Sequence, residues 1–151
     1  MVDENGFQFV DTNILIYAYD VSSAEKHGRA LELISKLWDS GKGCLSIQVL
    51  QEFYVNLTQK IPHPLTPPKT MRIIDDYGQW RLHEPELKSV LEAICIQQRN
   101  KISFWDAMII CSAKELGCKN IWTEDLNPNQ IYEGIIAVNP FIIDIGTALL
   151  F

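Results

Sequence analysis

The chain lacks most of what would send it to a membrane, a zinc site or a broad nucleic-acid surface. No apolar run approaches the roughly 20 residues that a membrane helix needs. The opening Met1-Val2-Asp3-Glu4-Asn5-Gly6 is acidic and has neither the basic nor the apolar region of a signal peptide. A cytoplasmic protein is therefore expected. The four cysteines (Cys44, Cys95, Cys111 and Cys118) form no CxxC pair, and His27, His63 and His83 are widely separated, so no zinc site is expected. Three of the cysteines lie in apolar stretches, which predicts reduced core thiols in a reducing compartment. Positive charge is also scarce: 13 Lys and Arg against 19 Asp and Glu leave a net charge of −6. That argues against the wide basic face of a packaging protein. It does not exclude chemistry on polyanions, because an acidic ligand cluster becomes locally cationic once it binds metal. No repeat, low-complexity tract or long linker divides the 151 residues, so a single domain over 1–151 is expected, and 47% hydrophobic residues allow a substantial core.

Short apolar runs alternate with longer stretches of helical periodicity. Residues 7–10 read as a strand and 13–19 as a helix. Ser22-Ser23-Ala24-Glu25 has the form of a capping box, opening a helix with Ala30, Leu31, Ile34, Leu37 and Trp38 on one face. Gly41 and Gly43 bracket a turn before a strand over 44–47, and a helix over 48–60 follows. Pro62-His63-Pro64 ends that helix, and Thr66-Pro67-Pro68 starts another. A third strand is read over 79–82, a helix from Pro85 to about residue 98, and a helix from Ser103 that Gly117 stops. Residues 120–123 give a fourth strand, and either 135–138 or 141–143 a fifth. Such alternation predicts a doubly wound α/β sheet of about five parallel strands flanked by helices. In that architecture ligands bind at the carboxyl ends of the strands, where the connections diverge.

Four acids fall near those positions. Asp11 and Asp125 each follow a strand-like run, Glu52 flanks the apolar stripe of the 48–60 helix, and Asp106 lies in the first turn of the Ser103 helix. Each has a plainer explanation. Asp11 suits an N-cap, Glu52 a solvated flank, Asp106 the third position of a capping box with Ser103, and Asp125 a turn. Taken together they mean more. Carboxylates about 4 Å apart repel by roughly 4 kcal/mol per pair at an effective dielectric near 20. A fold that gathers four needs a cation or raised pKa values, and Mg²⁺ or Mn²⁺ is the usual cation.

The segments Phe9-Val10-Asp11-Thr12-Asn13, Gln51-Glu52-Phe53, Ser103-Phe104-Trp105-Asp106-Ala107, Trp122-Thr123-Glu124-Asp125-Leu126 and Val138-Asn139-Pro140-Phe141 resemble, in order and spacing, the PIN-domain family, most closely its VapC-type ribonuclease toxins. One departure is Asn127-Pro128-Asn129-Gln130, where relatives often carry a more glycine-containing turn. The resemblance implies a PIN-like doubly wound fold and an Mg²⁺- or Mn²⁺-dependent endoribonuclease, the toxin of a toxin–antitoxin pair. It carries over Asp11, Glu52, Asp106 and Asp125 as catalytic, metal-binding acids, with Glu52 as ligand or as orienter of a water. Thr12, Asn13 and Thr123 become supporting residues. The implied partners are RNA, a cognate antitoxin and a second copy of the chain in a homodimer, with no membrane. Arg99 and Lys101 are candidates for RNA backbone contacts, although a solvated loop explains them equally well. Competing readings are a non-catalytic PIN-fold binding module, a housekeeping RNA-processing nuclease, and a haloacid-dehalogenase-type phosphatase. The last needs Asp-x-Asp-x-Thr, whereas Asp11 is followed by Thr12 and Asn13.

Overall fold

The structure, a computed structural model, describes residues 6–142. Its centre is a six-stranded sheet in the order β3-β2-β1-β4-β6-β5. The strands are β1 (Gln8–Val10), β2 (Gly43–Ser46), β3 (Arg81–His83), β4 (Asn120–Trp122), β5 (Ile131–Tyr132) and β6 (Ile135–Val138). Five of them run parallel, and β5 is a short antiparallel edge strand on β6. The doubly wound α/β expectation is met. The 135–138 alternative supplies the fifth parallel strand, while the 141–143 alternative ends outside the described residues.

Six α-helices cover the sheet: α1 (Thr12–Tyr17), α2 (Ala24–Ser40), α3 (Ile47–Val55), α4 (Pro67–Tyr77), α5 (Leu87–Asn100) and α6 (Phe104–Glu115). Every residue of β1, β2 and β4 is buried, as expected for strands with both faces covered. Phe9, Val10, Leu45, Ile121 and Trp122 are wholly inaccessible and form the layer against which the helices pack. Gly43 is required by close approach, since a Cβ there would meet the Trp80 ring at 2.5 Å. Cys44, Cys111 and Cys118 are buried free thiols and Cys95 is exposed. Among the described residues no helix is long and apolar enough to cross a membrane.

Two local expectations are corrected. Ser22 does not open a capping box. Its amide and hydroxyl both donate to Asp20 Oδ1 (3.1 and 2.7 Å), and α2 starts after Ser23 with no side-chain cap bond. A capping box is found at α5, where Glu86 and Ser89 cap each other one residue beyond Pro85. The helix expected over 48–60 divides into α3 and a π-helical turn, Asn56–Lys60. There Asn56 Nδ2 bonds the Glu52 carbonyl and Thr58 Oγ1 the Tyr54 carbonyl, competing with the helical ladder. In the turn over 127–130, Asn129 takes a left-handed φ of 66°, doing what a glycine does in such turns.

The order places a reversal beside β1. The chain winds from β1 outward through β2 to β3, then returns to lay β4 on the other side of β1. The carboxyl ends of β1 and β4 therefore open on a crevice, and Asp11 and Asp125 follow those two strands.

Candidate metal centre

Asp11 immediately follows β1 and is the N-cap of α1. The plain N-cap expectation holds for it, and its two oxygens take different donors. Oδ1 accepts from the Thr12 amide at 2.7 Å, and Oδ2 accepts from Thr123 Oγ1 at 2.8 Å. The residue is buried, and this desolvation raises its pKa to about 7 against the two donors. Asp125 and Asp106 add a smaller upward push.

Asp106 comes from the first turn of α6. Ser103 caps that helix by accepting from the Asp106 amide at 3.0 Å. The Asp106 carboxylate lies with Asp11 and Asp125, one oxygen of each falling within 4.8 Å of the others. Asp125 is the exposed member. Asn13 Nδ2 donates to its Oδ2 at 2.7 Å, and its amide donates to Thr123 Oγ1 at 3.1 Å. Its pKa is raised, first by burial and then by Asp106 and its other acidic neighbours, while the Asn13 bond opposes the shift.

Glu52 lines the same cleft but stands outside this group of three. Its two oxygens are held separately, Oε2 by Thr12 Oγ1 at 2.9 Å and Oε1 by Gln48 Nε2 at 3.0 Å. The side chains of Thr12, Asn13 and Thr123 thus donate to Glu52, Asp125 and Asp11 respectively. Sequence reading passed over Gln48, four residues before Glu52 and so on the same helical face. It also passed over Asn56 and Trp105, which line the cleft too. The i, i+4 spacing of Gln48 and Glu52 was the available signal. Arg99 and Lys101 are not among the lining residues. The Arg99 guanidinium donates to Glu133 at 2.6 Å and to Glu92 at 3.3 Å, and Lys101 is exposed at the end of α5.

The cleft measures about 270 Å³, and no Lys or Arg lines it among the described residues. Two neutral acceptors, Asn13 Oδ1 and Gln48 Oε1, are buried without a partner. Unneutralised carboxylates among amide oxygens, with no cysteine or histidine, are a hard donor set that fits Mg²⁺ or Mn²⁺.

The family model for the PIN domain matches residues 9–134. No curated protein sequence matches the chain. Among solved structures, the fold is similar to Mycobacterium tuberculosis VapC20, described as a sarcin-ricin loop cleaving toxin. Identity is 22%, the TM-score is 0.61, and the match covers 78% of this chain and 89% of that one. A toxin–antitoxin complex from Klebsiella pneumoniae matches at 17% identity and a TM-score of 0.65, over 88% of this chain and 97% of that one. DNA-bound VapBC from Salmonella typhimurium matches at 16% identity and a TM-score of 0.59, over 87% and 96% respectively. At these identities the solved structures establish the fold, and the domain match establishes the lineage: this chain belongs to the PIN-domain family.

Proposed function

We propose that the chain is a metal-dependent endoribonuclease and the toxin of a toxin–antitoxin pair. The observation that carries this reading is the meeting of Asp11, Asp106 and Asp125 at the β1–β4 crevice with no cationic side chain among the described residues lining it. Asp11, Asp106 and Asp125 would hold Mg²⁺ or Mn²⁺. The bound ion supplies a water of lowered pKa and neutralises charge on the phosphate.

The chain's own residues do the rest. Thr123 and the Thr12 amide fix the Asp11 carboxylate, and Asn13 fixes that of Asp125. Thr12 and Gln48 hold Glu52 at the cleft wall, where its remaining lone pairs orient a water or take its proton. Attack by water leaves a 5′-phosphate and a 3′-hydroxyl and does not use the ribose 2′-hydroxyl. Arg99 is committed to Glu92 and Glu133, whereas Lys101 is in no ion pair among the described residues, so Lys101 is the candidate of the two for a backbone contact.

A protein partner is part of the same reading. Met71 is 65% exposed, and with Tyr54 and Ile74 it lines an apolar groove between α3 and α4. That groove is suited to an antitoxin or to a second copy of the chain. Purified protein should cut structured RNA with Mg²⁺ or Mn²⁺ and stop when EDTA is added. Asp11→Asn should abolish the cutting, and retained activity in that variant would sink the assignment.

A further inference from the structure

We propose that Trp105 is a stacking platform for one unpaired nucleobase of the RNA, at the α6 edge of the acidic cleft. This rests on the ribonuclease reading above and adds how a cleft of one charge sign holds a polyanion. Trp105 is 63% exposed, against 37% for Trp38, 8% for Trp80 and none for Trp122. Phe104 anchors this turn by packing on the core, and among the described residues the ring contact of Trp105 is an edge contact with Phe104, at 5.2 Å between centroids. An indole turned outward leaves a large apolar face in water with no gain to the fold.

Its position gives that face a use. Trp105 adjoins Asp106, and its i+4 neighbour Ile109 lines the same cleft, so an apolar edge borders the carboxylates. Among the described residues no lysine or arginine lines the cleft, and the chain carries a net charge of −6. Without a bound ion, backbone neutralisation, which supplies most non-specific nucleic-acid affinity, is therefore weak at this site. Stacking is the non-electrostatic alternative, and it works on any base with a free face. A volume of about 270 Å³ lies just below the usual range for ligand pockets and suits one nucleotide, not a helix. Bases stacked inside a duplex have no free face to offer, so the substrate presents a loop, bulge or end.

The test is equilibrium binding of a labelled single-stranded RNA octamer in EDTA, where nothing is cut, with Mn²⁺ binding measured separately by calorimetry. Trp105→Ala should weaken RNA binding roughly 5- to 150-fold. Trp105→Phe should recover most of that loss, and the salt dependence of binding should be the same in all three proteins, because no phosphate contact has been removed. The octamer annealed to its complement should bind more weakly than the single strand. Wild-type affinity in Trp105→Ala, equal affinity for the duplex, or no saturable binding by the wild type would each overturn the proposal. It would also be overturned if Trp105→Ala kept RNA binding and lost binding to a cognate antitoxin, since Trp105 would then be a protein-docking residue. Mn²⁺ binding should be unchanged in Trp105→Ala, and its loss there would make Trp105 a structural support of Asp106 and overturn the proposal. Failure of the wild type to bind Mn²⁺ would count against the metal-nuclease reading, while the RNA comparison would still decide the stacking one.

Discussion

Two groups of carboxylates in this molecule are built in opposite ways. At the crevice, Asp11, Asp106 and Asp125 converge with hydroxyl and amide donors around them and, among the described residues, no lysine or arginine in the lining. At the outer face of α5 and α6, Glu92 and Glu133 converge on Arg99 and Lys114. The pKa values move accordingly. Burial raises Asp11 to about 7, whereas the Arg99 bond, aided by Asn100, lowers Glu133 to about 2. The chain can evidently neutralise clustered acids with its own side chains, and at the crevice it does not. Acids left without counter-charge there, on rigid elements, are what a bound cation requires.

The sharpest way to break the comparison is to remove a crevice acid. Asp106→Asn should lower RNA cleavage by about 100-fold or more in a kcat assay, because several kcal/mol of metal-derived stabilisation go with it. Saturating Mn²⁺ should raise the Tm of the wild type, by about 2.7 kcal/mol of stability at 100 times Kd. The same addition should leave Asp106→Asn nearly unmoved in a thermal melt, and an equal rise in both would mean that the ion binds elsewhere.

Thr123→Val should come next. It removes the 2.8 Å donor to Asp11 while leaving every carboxylate in place. Mn²⁺ affinity measured by calorimetry should fall roughly 10- to 100-fold.

The pH dependence should have opposite signs in the two groups. Between 3.8 and about 7 the folded chain holds a proton on Asp11 that the unfolded chain has lost, so stability from this residue falls as pH rises through that window. Between about 2 and 4.5 the unfolded chain holds the proton and folded Glu133 does not. Stability from Glu133 is thus present above 4.5 and disappears as pH falls toward 2. Denaturant titrations of wild type and Asp11→Asn in EDTA should give a difference that changes between pH 4 and 7. Titrations of wild type and Glu133→Gln should differ above pH 4.5 and converge in acid. Glu133→Gln is the smallest effect, about 2 °C of Tm or less at neutral pH, since Arg99 is half exposed. A larger loss would mean that the outer cluster holds α5 and α6 more firmly than a surface network should.

Much of this was readable beforehand, for reasons that particular residues illustrate. The strands around Phe9 and Ile121 are continuous apolar runs because both faces of a parallel sheet are covered. Thr66-Pro67-Pro68 and Ser103 marked helix starts through local capping chemistry alone. Where two local bonds competed, the sequence was ambiguous. Asp20 took Ser22 out of the expected capping box, and Asn56 and Thr58 widened a helix that periodicity ran straight through.

For the site, the order of the acids along the chain identified all four candidates, and local pattern gave each an ordinary alternative. Asp11 turned out to be both cap and cluster member, which no pattern within a few residues distinguishes. Periodicity and capping are properties of neighbours in sequence, so the chain by itself determined the elements, their alternation and the acids at their ends. Separations across the sheet are set by strand order. Only the return of β4 to the side of β1 brought Asp125 to Asp11, seated Thr123 between them, and left Arg99 bound to Glu133 away from the cleft.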